Sequence, residues 1–350
     1  MNEVATVSAE VLTALAALAD RADAETIWPT GSWDQVTRAG VLGWSVPQEF
    51  GGNELSPRDL LERHEQLAGA CLTTTFLLSQ REAAVRRIIG CANESLRSRL
   101  LPRLSAGDIF ATVGLSQLTT SRQHASPALT ACREPNGWTL RGVIPWVTGA
   151  DHSDYLVTGA VQSDGRKVLL VVPRETPGLI VQPALDLMAL RGSLTTEVVC
   201  NDVSVSEDWL LQGPTEGGIA GRRGGTGGLE TSCLALGLAG AAIVFLGNEA
   251  AARPDLKNTW EKLASARDRL RRELHALCGP PTSAAAAAQL RAKANRLVLG
   301  ATQAALTAAK GAGFLRSHPA QRWARQALFF LVWSCPRPAA EATLTHLASE

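Results

Sequence analysis

The sequence predicts an α+β chain, mainly α, in which a helical region, a small β-domain and a C-terminal helical bundle follow one another. Three observations carry this. Apolar residues recur at helical spacing between about Ser8 and Leu104. From Phe110 to about residue 210, short β-branched runs alternate with Gly, Pro, Asp and Asn. Beyond the glycine-rich stretch Gly217–Gly228, helical signals return and hold to the end. The expected boundaries are 1–107, 108–212 and 213–350.

In the first region Val11, Leu12, Leu15, Leu18 and Ala19 share one helical face. Ser8 is placed to cap that helix, because its hydroxyl satisfies a free backbone N–H. The loop Pro47–Gly52 breaks the pattern. A helix is expected after Pro57, and others over Glu82–Ile89 and Glu94–Leu101. In the second region Trp138-Thr-Leu, Tyr155-Leu-Val-Thr, Val168–Val172 and Glu197-Val-Val read as strands. In the third, helices are expected over 229–252, 256–277, 284–310 and 319–334, with a tail after Pro338. Ala284–Ala288 is low in complexity, but alanine is the strongest helix former and needs no other explanation. Leu234–Gly247 is apolar but short for a bilayer, so it reads as a buried core helix and no membrane span is expected.

The 350 residues carry a formal net charge of +1, which gives no reason to expect nucleic acid or an anionic membrane as partner. Seven cysteines are scattered, without a CxxC pair or a Cys/His cluster. That usage fits reduced thiols in a cytoplasmic compartment and no metal site. No basic segment followed by an apolar one opens the chain, so no secretory signal is expected.

Four blocks, in order, resemble the acyl-CoA dehydrogenase family: Gly43–Gly52, Leu101–Gly107, Leu187–Ser193 and Val203–Val205. The resemblance runs over nearly the whole chain and implies that family's three-part fold, with FAD between the β-domain and the C-terminal bundle. A flavin ring needs a flat apolar partner and hydrogen bonds at its polar edge. The family's segments for this correspond to Leu115 and Ser116, and to the turn Trp146-Val147-Thr148. The glycines of 217–228 lack the strand–turn–helix setting of a dinucleotide fingerprint.

The resemblance also exposes losses. In most of the family a glutamate takes the substrate's α-proton; Ser334 stands at that position, beside Cys335, which reads as a packed thiol. Other members carry the base on the first long C-terminal helix, where Gly227 and Gly228 now stand. Glu230, three residues on, shares a helix face with that place and is the candidate catalytic base. Its ordinary reading is a first-turn glutamate favoured by the helix dipole. The family's inter-subunit loop survives only as Arg253–Leu256, and its Q-x-x-G-G motif has become Thr307–Gly311. Arg191 reads as a structural residue, His318 as a helix-start residue, and Glu261–Glu273 as a solvated face. Arg316, Arg322 and Arg325 form either a phosphate contact or a solvated face.

The resemblance implies an FAD-dependent oxidoreductase that dehydrogenates an acyl thioester, bound to CoA or to a carrier protein. A flavin-dependent monooxygenase on the same fold and a non-catalytic partner subunit are the alternatives. A homo-oligomer, or a hetero-oligomer with a related subunit, is expected.

Overall fold

The structure, a computed structural model, describes residues 6–119, 126–216, 229–278, 283–333 and 337–348. Its N-terminal helices are α1 (Ala9–Ala24), α2 (Thr30–Arg38), α3 (Pro57–Ala70), α4 (Leu72–Ile89) and α5 (Glu94–Ala106). The middle of the chain holds β1 (Ala111–Gly114), the single turn α6 (Ser116–Thr119), β2 (Leu129–Glu134) and β3 (Gly137–Val147). It continues with β4 (Tyr155–Val161), β5 (Lys167–Pro173), β6 (Leu179–Val181), β7 (Thr196–Ser206) and β8 (Leu210–Thr215). The C-terminal helices are α7 (Leu229–Ala252), α8 (Lys257–Ala276), α9 (Ala284–Ala309), α10 (Pro319–Phe329) and α11 (Arg337–Ala348). Helical, β, helical is the order expected from the sequence.

Ser8 caps α1 as its chemistry predicts, accepting from the Val11 N–H at 3.3 Å. His318 does the same for α10, its ring accepting from the Ala320 N–H at 3.2 Å, with Pro319 in the first turn. The helix expected over Glu94–Leu101 runs on through Pro102 to Ala106, and two others differ further from expectation. The helix expected over Glu82–Ile89 starts at Leu72, and nearly all of its first half is buried. A helix enclosed on all sides shows no apolar stripe, so periodicity finds only its exposed end. The helix expected over 319–334 ends at Phe329, and a tight turn follows to Trp333.

The strands form one sheet in the order β6-β7-β3-β2-β4-β5-β8, with β1 parallel to β4. One face packs inside the β-domain around Trp138, Ile144 and Val198. The other face, with Val113, Val157, Leu169 and Val171, packs against Ala84, Val85 and Ile88 of α4 and Leu100 and Leu104 of α5. Helix α4 therefore carries the sheet on one side and the bundle on the other.

α7 is the bundle's axis. It runs over the 24 residues expected from the sequence and is the one helix among the described residues long and apolar enough to cross a membrane. Most of it lies buried among α3, α8, α9 and α10. Its crossing with α3 has no room for side chains: a Cβ at Gly237 would sit 2.3 Å from the Glu65 carbonyl oxygen.

Candidate functional site

The five residues expected at the flavin come together where the ends of β1 and β3 meet. The Ser116 hydroxyl donates to the Pro145 carbonyl at 2.9 Å, and the Thr112 hydroxyl to the Thr148 carbonyl at 2.7 Å. Gly114 is required there, since a Cβ would meet Ile144 at 2.4 Å and Val147 at 3.0 Å. The pairing of β3 with β7 slips between Ile144 and Val147. Within that bulge Trp146 takes a left-handed φ of +58°, an uncommon conformation for a bulky residue. Its indole stands 54% exposed, while its neighbours Val147 and Thr148 are buried. The Leu115 side chain packs with the α4–β1 layer and Val147 with the sheet interior, so these two frame the site through their backbone.

Both expected hydroxyls have partners within the protein. Ser116 is held by Pro145, and Thr148 Oγ1 lies 3.1 Å from Thr195 Oγ1, which lies 2.9 Å from Ser193 Oγ. Gln117 donates through Nε2 to Gly114, Thr158 and Gly159, while its Oε1 is enclosed without a partner among the described residues. The exposed Trp146 ring has the chemistry to stack on a planar heterocycle.

Glu230 belongs to another junction, where α7, α4 and α3 converge. Its carboxylate pairs with Arg86 at 3.0 Å, both side chains about a third exposed. Burial pushes the Glu230 carboxyl up, but Arg86, its own backbone N–H, His64 and Arg87 together hold it below the ordinary value. His64 is enclosed and burial drives its pKa down, with Glu82 and Glu230 opposing and Arg86 reinforcing. Burial also brings Arg87 down to about 10. Leu77, one of the side chains against the Gly149 turn, and Arg86 lie nine residues apart on α4. The two junctions are therefore separated by about 13 Å along that helix.

A third cluster was illegible in the sequence. Asp23 of α1 is fully buried and accepts from the Leu190 N–H and the Gln326 side chain, both at 2.8 Å. Its second oxygen lies 2.8 Å from Arg325 Nη2. Arg322 pairs with Asp20, and Arg325 also donates to the Met188 carbonyl at 2.8 Å. Two of the three arginines left open between phosphate contact and solvated face are thus carboxylate partners joining three parts of the fold. Arg191 bonds Thr26 at 3.0 Å, the structural role expected of it. The charged run Glu261–Glu273 is only partly a solvated face, because Arg267 and Arg271 reach the buried Glu65 of α3. No group of His, Cys, Asp and Glu suited to a metal occurs among the described residues. Ser334, Cys335, Gly227 and Gly228 lie outside them.

Comparison with known proteins supplies the lineage. Sequence models of the acyl-CoA dehydrogenase N-terminal domain and middle domain match residues 3–108 and 112–203. The probable acyl-CoA dehydrogenase YngJ of Bacillus subtilis (strain 168) is 26% identical over 233 residues, 64% of this chain and 61% of that protein. The mitochondrial short-chain specific acyl-CoA dehydrogenase of Homo sapiens is 25% identical over 233 residues, 65% of this chain and 56% of that protein. The matched region thus spans about three-fifths of these relatives' length. Butyryl-CoA dehydrogenase from Megasphaera elsdenii superimposes with a TM-score of 0.84 at 19% identity, covering 97% of each chain, a likeness of fold. With two successive domain models covering more than half its length, this chain belongs to the acyl-CoA dehydrogenase family.

Proposed function

We propose that the protein is an FAD-dependent oxidoreductase acting on an acyl thioester, carried by CoA or by a carrier protein. The observation that supports this best is Trp146: a large aromatic held exposed in a left-handed conformation where the strand ends bring Ser116 and Thr148 together. An exposed indole in a strained bulge has no packing reason to be there; a flat ring stacked on it gives one. Bound there, a flavin supplies the electron acceptor. Trp146 would cover such a ring, and the strand ends that carry Ser116 and Thr148 would supply polar groups for its edge.

In this reading Glu230 is the candidate for the substrate's α-proton, a role that requires the flavin ring and the substrate to extend from Trp146 toward the Arg86–Glu230 junction. It is ionised at neutral pH, as an acceptor must be, and releasing Arg86 is the step that frees it. The first measurement is the visible spectrum after gel filtration, with and without added FAD. Retained flavin bands support the site. A protein that stays colourless with FAD refutes it and favours the partner-subunit alternative. With flavin bound, Glu230→Gln is expected to abolish anaerobic bleaching by acyl thioesters, and unchanged bleaching removes Glu230 from the mechanism.

The Arg86–Glu230 pair favours a second reading. A base for an α-proton works best with its pKa raised toward the working pH, and Glu230 is held the other way. Hydroxylation by oxygen on externally reduced flavin needs no such base. Substrate-coupled oxygen uptake with reduced flavin distinguishes it, and no uptake excludes it.

A further inference from the structure

The cleft between α1 and the start of α2 plays no part in the site described above. It is lined by Leu18 and Arg21 of α1, Ile27 and Trp28 of the joining loop, and Gly31 and Ser32 of α2. Its volume is about 160 Å³, room for about five water molecules. Leu18, Ile27 and Trp28 give it apolar surface. The Trp28 ring is already fixed by packing, stacked on His152 at 4.4 Å and edge-on to Phe110 at 5.4 Å. Gly31 keeps the space open, since a Cβ there would stand 3.3 Å from Leu18 Cδ1.

The polar groups at the cleft are donors. Pro29 holds the cap position of α2 with φ −80° and ψ 62°. This is an inverse γ-turn, and it returns the Thr30 N–H to the Trp28 carbonyl at 2.8 Å. Proline offers no capping side chain, and α2 has no side-chain cap. The first helical bond runs from the Trp33 N–H to the Pro29 carbonyl at 2.9 Å. The N–H groups of Gly31 and Ser32 are left without an acceptor among the described residues, at the positive end of the helix.

Ser32 is an independent sign of a ligand. It is 2% exposed, yet its hydroxyl has no hydrogen-bond partner among the described residues. A buried hydroxyl in that state bears the cost of an unmade bond. The cleft that Ser32 lines is the space in which it can meet an acceptor. Arg21 adds little, because its side chain is mostly exposed and already pairs with the Glu25 carboxylate at 2.8 Å.

We propose that this cleft binds a short-chain carboxylate. Its oxygens accept from the Gly31 and Ser32 N–H groups and from the Ser32 hydroxyl, and its alkyl stem lies among Leu18, Ile27 and Trp28. Butanoate is of the right size. The proposal is independent of the flavin reading, and so is its test. Butanoate and its neutral isostere butanamide are titrated separately into the purified full chain and followed by ligand-observed NMR.

Wild-type protein is expected to bind butanoate with a dissociation constant of about 1 mM and butanamide at least about tenfold more weakly. Ser32→Ala should weaken butanoate about tenfold and leave the melting temperature unchanged. Gly31→Ala should weaken it too, because its methyl enters the cleft beside Leu18 while the substitution favours the helix. Arg21→Gln should change it no more than about twofold. Absence of saturable butanoate binding by wild-type protein overturns the proposal, as does equal binding of butanoate and butanamide. Wild-type affinity in both Ser32→Ala and Gly31→Ala overturns it as well. Loss in Arg21→Gln alone reduces the effect to surface ion pairing and refutes the cleft.

Discussion

Replacing Asp23 tests whether the three parts of the fold are locked together by one carboxylate. The side chain is fully buried and meets Leu190 N–H and Gln326 Nε2 at 2.8 Å each, with Arg325 Nη2 at 2.8 Å on its other oxygen. Asp23→Asn keeps an acceptor but turns two charge-assisted bonds into neutral ones, a loss of about 1 kcal/mol each. The contact with Arg325 adds about 1 kcal/mol, since Arg325 is 32% exposed and water replaces part of it. The expected cost is about 3 kcal/mol. Asp23→Ala also strands the Leu190 N–H and the Gln326 amide in the interior, which raises the cost to about 5 kcal/mol. Urea unfolding followed by tryptophan fluorescence measures both. Because Asp23 joins parts that pack separate cores, the Ala variant should also unfold in more than one step. A loss below about 1 kcal/mol for Ala, with one cooperative transition, refutes the reasoning.

Trp146→Ala removes a half-exposed ring, so the melting temperature should stay within a few degrees of wild type while retained flavin falls at least about tenfold; calorimetry and absorbance check the two halves separately. Gly237→Ala places a methyl against the Glu65 carbonyl and the Ala68 side chain, and should cost about 1–3 kcal/mol in denaturant unfolding. Acid should destabilise the native chain in two overlapping steps. His64, its pKa lowered by burial, lets the unfolded state take up the proton first, so stability falls as pH drops below the ordinary histidine value of about 6.5. Glu230 is depressed on folding, so its contribution is complete above about pH 4.3 and is lost as pH falls through its folded value. His64→Gln should flatten the first step and Glu230→Gln the second, both read from denaturant unfolding as a function of pH.

The order of helices and strands was legible because amphipathic helices and alternating strands leave periodic traces. Helix α4 shows where that stops: buried on nearly all sides, it offers no stripe until its C-terminal end, where Arg86 is exposed. The candidate flavin residues were legible as a resemblance, and the strand ends do gather them. Their surroundings were not. Asp23 meets Gln326 across 303 residues and Thr148 meets Thr195 across 47, and no local pattern announces such partners. The Arg86–Glu230 pair escaped for the same reason. Spacing on one helix places Glu230 on a face, but only the neighbouring helix decides which charge it meets.

Helix α7 carries a consequence for how the chain is made. Its cover arrives from both directions: α3 has left the ribosome long before it, while α9 begins about thirty residues after α7 ends. At ordinary rates of synthesis the interval is several seconds. During it, a 24-residue apolar helix displays the side that α9 later hides. Hydropathy is the first signal that a membrane-insertion machine reads in a nascent segment. A chain cut or stalled before Ala284 therefore presents that segment uncovered, and association with membranes or with other nascent chains becomes its most direct alternative to folding.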